Sequence, residues 1–144
     1  MSEREQPRRG AYRVFYPVST RWADNDIYGH VNNVVYYAWF DSAVNRYLIE
    51  EGGLDIAGGT IVAFVVSSGC DYLAPVTYPE AIEVGMRVDR LGNSSVRYGV
   101  AIFRAGEDTA CAHGHFVHVF VERASSRAVA IPGGLRAALD RLAA

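Results

Sequence analysis

The sequence contains no lysine; all fourteen of its permanently cationic side chains are arginine. That excludes Schiff-base chemistry on a lysine of this chain and leaves arginine as the only fixed positive charge for gripping an anion. Cysteine is scarce as well. Cys70 and Cys111 are the only two, too few for a disulfide framework or a four-thiolate zinc site. No apolar run approaches the roughly 18 residues needed to span a bilayer. Net charge is only −2, so no broad basic footprint for nucleic acid is expected. Met1–Gly10 is polar, carries Arg4, Arg8 and Arg9, and has none of the apolar centre of a signal peptide. These absences point to a reduced, cytoplasmic protein.

What is present is a 144-residue chain, half of it apolar, the size of one domain with one core. Residues 1–10 read as a disordered tail and 11–144 as the domain. Arg13–Trp22 is rich in β-branched and aromatic residues and reads as a strand, with Pro17 placing it at an edge or bulge. Val31 to Glu51 reads as a long helix stopped by Gly52–Gly53. Its apolar residues surround most of the cylinder, which predicts a buried helix wrapped by other structure. Ile61–Cys70 is almost continuously apolar, as expected of a strand covered on both faces. Alternating runs at Ile82–Asp89 and Val96–Phe103 flank a turn at Gly92–Asn93, and a strand follows over Thr109–Glu122. Pro132 opens a short final helix with Leu135, Ala138, Leu139 and Leu142 on one face. The order predicts an α+β domain with an antiparallel sheet curled round one helix.

One stretch concentrates the chemistry: Arg21-Trp-Ala-Asp-Asn-Asp-Ile-Tyr-Gly-His-Val-Asn-Asn33. Capping a helix requires one Asp or Asn, and here several polar side chains precede an apolar helix. The first amides of a helix lack internal partners and sit at the positive end of its dipole. Asn33, or a neighbouring N–H, could therefore bond a substrate carbonyl and hold the oxyanion formed there; removing one such donor costs about 100- to 1000-fold in rate. Asp26 could attack that carbonyl or activate water toward it, with His30 and Asn32 orienting the reacting groups. Asp24 is the rival carboxylate, expected to hold the loop.

Asp26-Ile-Tyr-Gly-His-Val-Asn-Asn33, followed by Tyr36 and the helix through Asp41, resembles the hotdog-fold acyl thioesterases. The likeness is to the branch containing 4-hydroxybenzoyl-CoA thioesterase and bacterial long-chain acyl-CoA thioesterases. It extends to the hairpin with Ser95 and to Ile131–Pro132. His-Val-Asn-Asn also resembles the motif of plant acyl-carrier-protein thioesterases. The resemblance implies a five-stranded antiparallel sheet wrapped round one long central helix, and hydrolysis of an acyl thioester to free acid and coenzyme A in lipid metabolism. It implies Asp26, His30 and Asn33 as catalytic, and Gly29, Asn32, Tyr36, Asp41 and Ser95 at the substrate. The hairpin lacks the basic residues that aromatic-acyl relatives present to coenzyme A phosphates; Arg90 and Arg97 are the nearby substitutes. Tyr28 departs from the asparagine of the plant motif. No metal or bound cofactor is implied, since coenzyme A is part of the substrate. The partner is an acyl-CoA or acyl-carrier protein, with no nucleic acid and no membrane, and the assembly a homodimer or homotetramer. Two alternatives remain open: an enoyl-CoA hydratase of the same fold, and a non-catalytic thioester-binding module.

The other candidates read as structural. His113 and His115 share a strand face and Cys111 joins them by parity, while His118 points the other way; two histidines make a weak metal site. Val62, Phe64 and Val66 are candidates for an acyl pocket beside Tyr36.

Overall fold

The computed structural model describes residues 6–143. Five strands form one sheet in the order β1-β3-β4-β5-β2, with every neighbouring pair antiparallel: β1 Val14–Ser19, β2 Ile61–Tyr72, β3 Ala81–Leu91, β4 Ser95–Arg104 and β5 Ala112–Glu122. One long helix, α1 (Asn33–Glu50), packs on the inner face, and a short helix, α2 (Gly133–Asp140), closes one end. This is the architecture expected from the sequence. Alternation makes it work: Ile82, Val84, Met86, Val96, Tyr98, Val100, Phe116 and Phe120 all face inward and are buried with Phe40, Val44, Tyr47 and Leu48 of α1. Burying such side chains supplies about 1.5–3 kcal/mol each before entropy is set against it. Pro17 lies in β1, which among the described residues pairs only with β3 and forms one edge of the sheet.

Three expectations need correction. The helix starts at Asn33, not Val31, because Val31 bridges to Asn25 and its N–H bonds the Val76 carbonyl at 2.7 Å. The helix is also not wrapped on every side: Val34 is 70% exposed, and Ala38, Asp41 and Ser42 are exposed as well. β2 is not covered on both faces. It is the terminal strand of the sheet, and Phe64, Val65 and Val66 are 48%, 46% and 60% exposed. An apolar run on an open edge reads in sequence like one in the middle of a sheet.

Residues 1–5 of the expected tail lie outside the described residues. The rest of that stretch is tied down. Arg8 bridges to Thr109, the Arg9 amide bonds Asp108, and the Ala110 amide bonds Pro7. Arg9 lies over the rings of Phe15 and Phe103 and pairs with Glu83 at 2.9 Å, so its charge is spent on the outer face of the sheet. Tyr12 packs on the same outer face against Ala101, Phe103 and Ala110, in a small cluster of its own.

The core holds one histidine. His118, 2% exposed, lies on the inner face with its Nδ1 3.2 Å from the Tyr98 hydroxyl, and burial lowers its pKa to about 4. The unfolded chain binds a proton near pH 6.5 that the folded chain refuses until about pH 4. Stability therefore falls as pH drops through that window, by about 3 kcal/mol from this group. Urea unfolding across pH 7 to 4 should show this slope, and His118→Phe should flatten it. An equally steep slope in that variant would contradict the assignment.

Candidate active site

The loop before α1 is a tight hairpin. Asn25 and Val31 bridge antiparallel, the Asp26 amide bonds the His30 carbonyl, and the Gly29 amide bonds the Asp26 carbonyl, both at 3.0 Å. The turn closes with Gly29 at φ +82°, in the left-handed region that side chains resist. A Cβ at Gly29 would meet nothing within 4 Å, so the requirement is conformational. Gly29→Ala should then cost about 1–2 kcal/mol in urea unfolding. An unchanged midpoint would show that the turn tolerates a side chain.

The turn aims Asp26. Its Oδ1 accepts the Tyr28 amide at 2.9 Å, and its Oδ2 has no hydrogen-bond partner among the described residues. Asp24 is built differently. It is 1% exposed, and its oxygens accept the Arg21 amide at 2.7 Å and the Arg21 guanidinium at 3.0 and 3.2 Å. Its carbonyl also takes the Asn32 amide. Asp24 is thus fully occupied in holding the loop, while Asp26 keeps an oxygen to spare.

Asn32 is the helix cap. Its side chain accepts the Val34 amide at 3.0 Å and its carbonyl accepts the Val35 amide at 2.9 Å. The Asn33 N–H is left without a partner among the described residues, at the positive end of an 18-residue helix. Tyr72, from the end of β2, donates its hydroxyl to the Asn33 carbonyl at 3.0 Å and fixes that first turn.

Asp26, His30 and Asn33 line a hollow of about 380 Å³ together with Tyr28, Val31 and Tyr36. Tyr72, Leu73, Ala74 and Pro75 complete its lining, with the Leu73 and Ala74 amides held by the carbonyl of Cys111, the residue before β5. Tyr36 and Tyr72 meet edge to face at 5.0 Å. Burial pushes the Tyr36 hydroxyl up to about 12 and raises Tyr72 too, so both remain neutral at ordinary pH. On its other side Asp26 borders a second hollow, about 520 Å³, with Trp22, Ala23, Asn25, Ile27 and Gly29. A residue with a spare carboxylate oxygen and one with an unpaired helix-terminal amide thus line one partly apolar hollow. That pairing suits attack on a carbonyl followed by stabilisation of its oxyanion.

The structure brings together Asp26, His30, Asn33 and Tyr36, with Gly29 shaping the turn and Asn32 acting as the cap. It does not bring the remaining expected residues to the hollow. Asp41, two turns along α1, is exposed and accepts the Asn45 amide group through its carbonyl and carboxylate. Ser95 pairs with Val119, whereas Tyr72 pairs with Ala112. Seven residues of strand, about 23 Å, separate those ends within one chain. Arg90 and Arg97 pair with each other across the β3–β4 hairpin at Ser95's end. Val62, Phe64 and Val66 lie on β2 away from the hollow.

Sequence reasoning missed Tyr72–Pro75. The only signal was the parity that puts Tyr72 on the inner face with Cys70. Cys111 lies one residue before β5, so strand parity does not apply to it, and it is buried in the main core. His113 and His115 are on the outer face, the first 3.9 Å from Asp71 and the second 3.2 Å from Ser67. Among the described residues no three metal-ligating side chains gather. No helix of the described residues is long and apolar enough to cross a membrane.

Comparison with known proteins gives a consistent answer. Residues 20–139 match the family model described as the thioesterase-like superfamily. The crystal structure of the PA5185 protein from Pseudomonas aeruginosa PAO1 is 64% identical, covering 97% of this chain and 98% of its own, with a TM-score of 0.96. Slr0204, a 1,4-dihydroxy-2-naphthoyl-CoA thioesterase from Synechocystis, shares the fold at 18% identity, covering 88% of this chain and 94% of its own with a TM-score of 0.78. YsmA of Bacillus subtilis (strain 168), an uncharacterized protein, is 28% identical over 127 residues, 86% of this chain and 83% of its own.

Proposed function

The chain belongs to the thioesterase-like superfamily, and from that premise we propose that it hydrolyses an acyl-CoA thioester to a free acid and coenzyme A at the Asp26–Asn33 junction. The observation that carries the proposal is that Asp26, with its Oδ2 unpartnered among the described residues, and Asn33, with its N–H likewise unpartnered, line the same hollow.

In this reading the thioester carbonyl lies at the N-terminus of α1, with its oxygen on the Asn33 N–H. Asp26 takes a proton from water as the water oxygen adds to the carbonyl carbon. The oxyanion collapses, the C–S bond breaks, and the thiolate leaves and takes up a proton. In a covalent variant Asp26 adds to the carbonyl carbon itself, the thiolate leaves, and water then cleaves the mixed anhydride to free acid and Asp26. His30, exposed beside the hollow, orients water or the leaving sulfur. Asp26 lies between two hollows, which suits a substrate with two arms, acyl on one side and pantetheine on the other. The reaction as proposed uses neither metal nor cofactor.

The open edge of β2 supports a homodimer. Exposed strand edges invite pairing, and apolar Val65 and Val66 lie on this one. Pairing β2 with a second β2 across a two-fold axis runs the strands antiparallel. The Tyr72 end of one then meets the Ile61 end of the other, and the partner's Arg90, Ser95 and Arg97 approach the site from across the seam. Coenzyme A phosphates would be held there. Alanine at Arg90 and Arg97 should raise KM and make it less sensitive to salt, with kcat little changed; an unchanged KM in both variants would move the nucleotide elsewhere.

The test is thiol release from saturated acyl-, benzoyl-, phenylacetyl- and trans-enoyl-CoA. Release from a saturated or aromatic substrate is expected. Hydration of the enoyl thioester without thiol release would favour the hydratase, and binding with no reaction would favour a thioester-binding module.

A further inference from the structure

A network outside the hollow holds both ends of the Asp26 turn. Thr77, in the segment between β2 and β3, donates its hydroxyl to the Gly29 carbonyl at 2.8 Å; a carbonyl at 3.4 Å, that of Tyr78, is a weaker alternative. The same hydroxyl oxygen accepts the Asn25 amide group at 3.2 Å, and the Asn25 Oδ1 accepts the Tyr78 amide at 3.1 Å. Asn25 immediately precedes Asp26, and Gly29 is the left-handed residue that closes the turn. One hydroxyl therefore pins the chain on both sides of the carboxylate.

Thr77 is itself held. Its amide donates to Glu80 Oε1 at 2.8 Å, and the other Glu80 oxygen accepts Arg104 Nε at 2.6 Å. Arg104 also donates to the Pro75 carbonyl, on the wall of the hollow. Arg104 closes β4, a strand fixed on both sides by its neighbours in the sheet. The tip of the turn is exposed, Ile27 and Tyr28 at 95% and 82%.

We propose that Thr77 and Asn25 are positioning residues, which transmit the rigidity of the β4 end through Glu80 to the Asp26 turn and fix its carboxylate at the hollow that Asn33 also lines. Neither side chain lines the hollow containing Asn33, so neither touches a carbonyl bound there; Asn25 borders only the second hollow, and Thr77 borders neither. Their effect falls on the geometry of the attacking group. A displacement of about 1 Å in a reacting group costs about 100-fold in rate without weakening binding. The inference rests on the proposed hydrolysis for its kinetic consequence and on the hydrogen bonds alone for its structural one.

Thr77→Val keeps the shape and removes the hydroxyl. It is expected to lower kcat about 10- to 100-fold with KM changed less than about threefold. Thr77→Ser should recover kcat to within about threefold of wild type. Thr77→Val combined with Asn25→Ala should cost little more than the worse single variant, because both cut one staple. Amide exchange at Asp26 and Gly29 should rise about tenfold in Thr77→Val while β4 stays protected. Unchanged kcat with unchanged exchange overturns the proposal, as does a loss of kcat that serine does not restore. Raised exchange in a protein that hydrolyses no thioester would retain the staple and reject the hydrolase reading.

Discussion

Asp26→Asn is expected to lower kcat about 1000-fold while the urea midpoint hardly moves. Asparagine has the same shape, and its Oδ1 can still accept the Tyr28 amide that Asp26 Oδ1 accepts now. What disappears is the spare carboxylate oxygen. General base catalysis contributes about 100- to 10,000-fold, and an amide supplies neither base nor useful nucleophile. Asp24→Asn should show the opposite pattern. Asp24 is buried and clamped by Arg21, so its loss falls first on the stability of the loop and only through it on activity. A kcat for Asp26→Asn within tenfold of wild type would remove Asp26 from the chemistry. The pair of variants separates the two carboxylates that the sequence placed two residues apart.

The second large effect is expected at the open edge. Val66→Lys puts a charge on a side chain that is 60% exposed in the single chain, so the fold should hold. In the proposed dimer the same position faces a second β2. The variant should sediment as a monomer at micromolar concentration and lose at least about 100-fold in kcat/KM, because the partner's arginines no longer reach the site. A variant that is monomeric and fully active would show that one chain holds a complete site. A dimer with full activity would show that β2 is not the seam.

The parts of this molecule that were legible in its sequence are those written in local pattern. Alternation at Ile82–Val88 and Val96–Ile102 placed two strands and their inner faces. The crowd of Asp, Asn and His at residues 24–33 located the junction that carries the unpaired amide. Contacts between distant segments were not legible. Tyr72 reaches Asn33 across 39 positions and Thr77 reaches Gly29 across 48, and no periodicity records either. The misreadings have physical causes as well. Ile61–Cys70 is apolar enough for a buried strand, yet it lies at the edge of the sheet with Phe64, Val65 and Val66 exposed. The first ten residues read as a disordered tail, yet Arg9 stacks on two phenylalanine rings. Arg90 and Arg97 were placed near the substrate by resemblance, and within one chain the strand register carries them to the far end of the sheet.

The most direct measurement is the stoichiometry of products from one saturated acyl-CoA. Free thiol and free acid would be quantified together in the same reaction with the wild-type protein and with Asp26→Asn. The expected result is one thiol and one acid for each thioester consumed by the wild type, and almost none by the variant. Consumption without thiol release, or equal release by both proteins, would contradict thioester hydrolysis by Asp26.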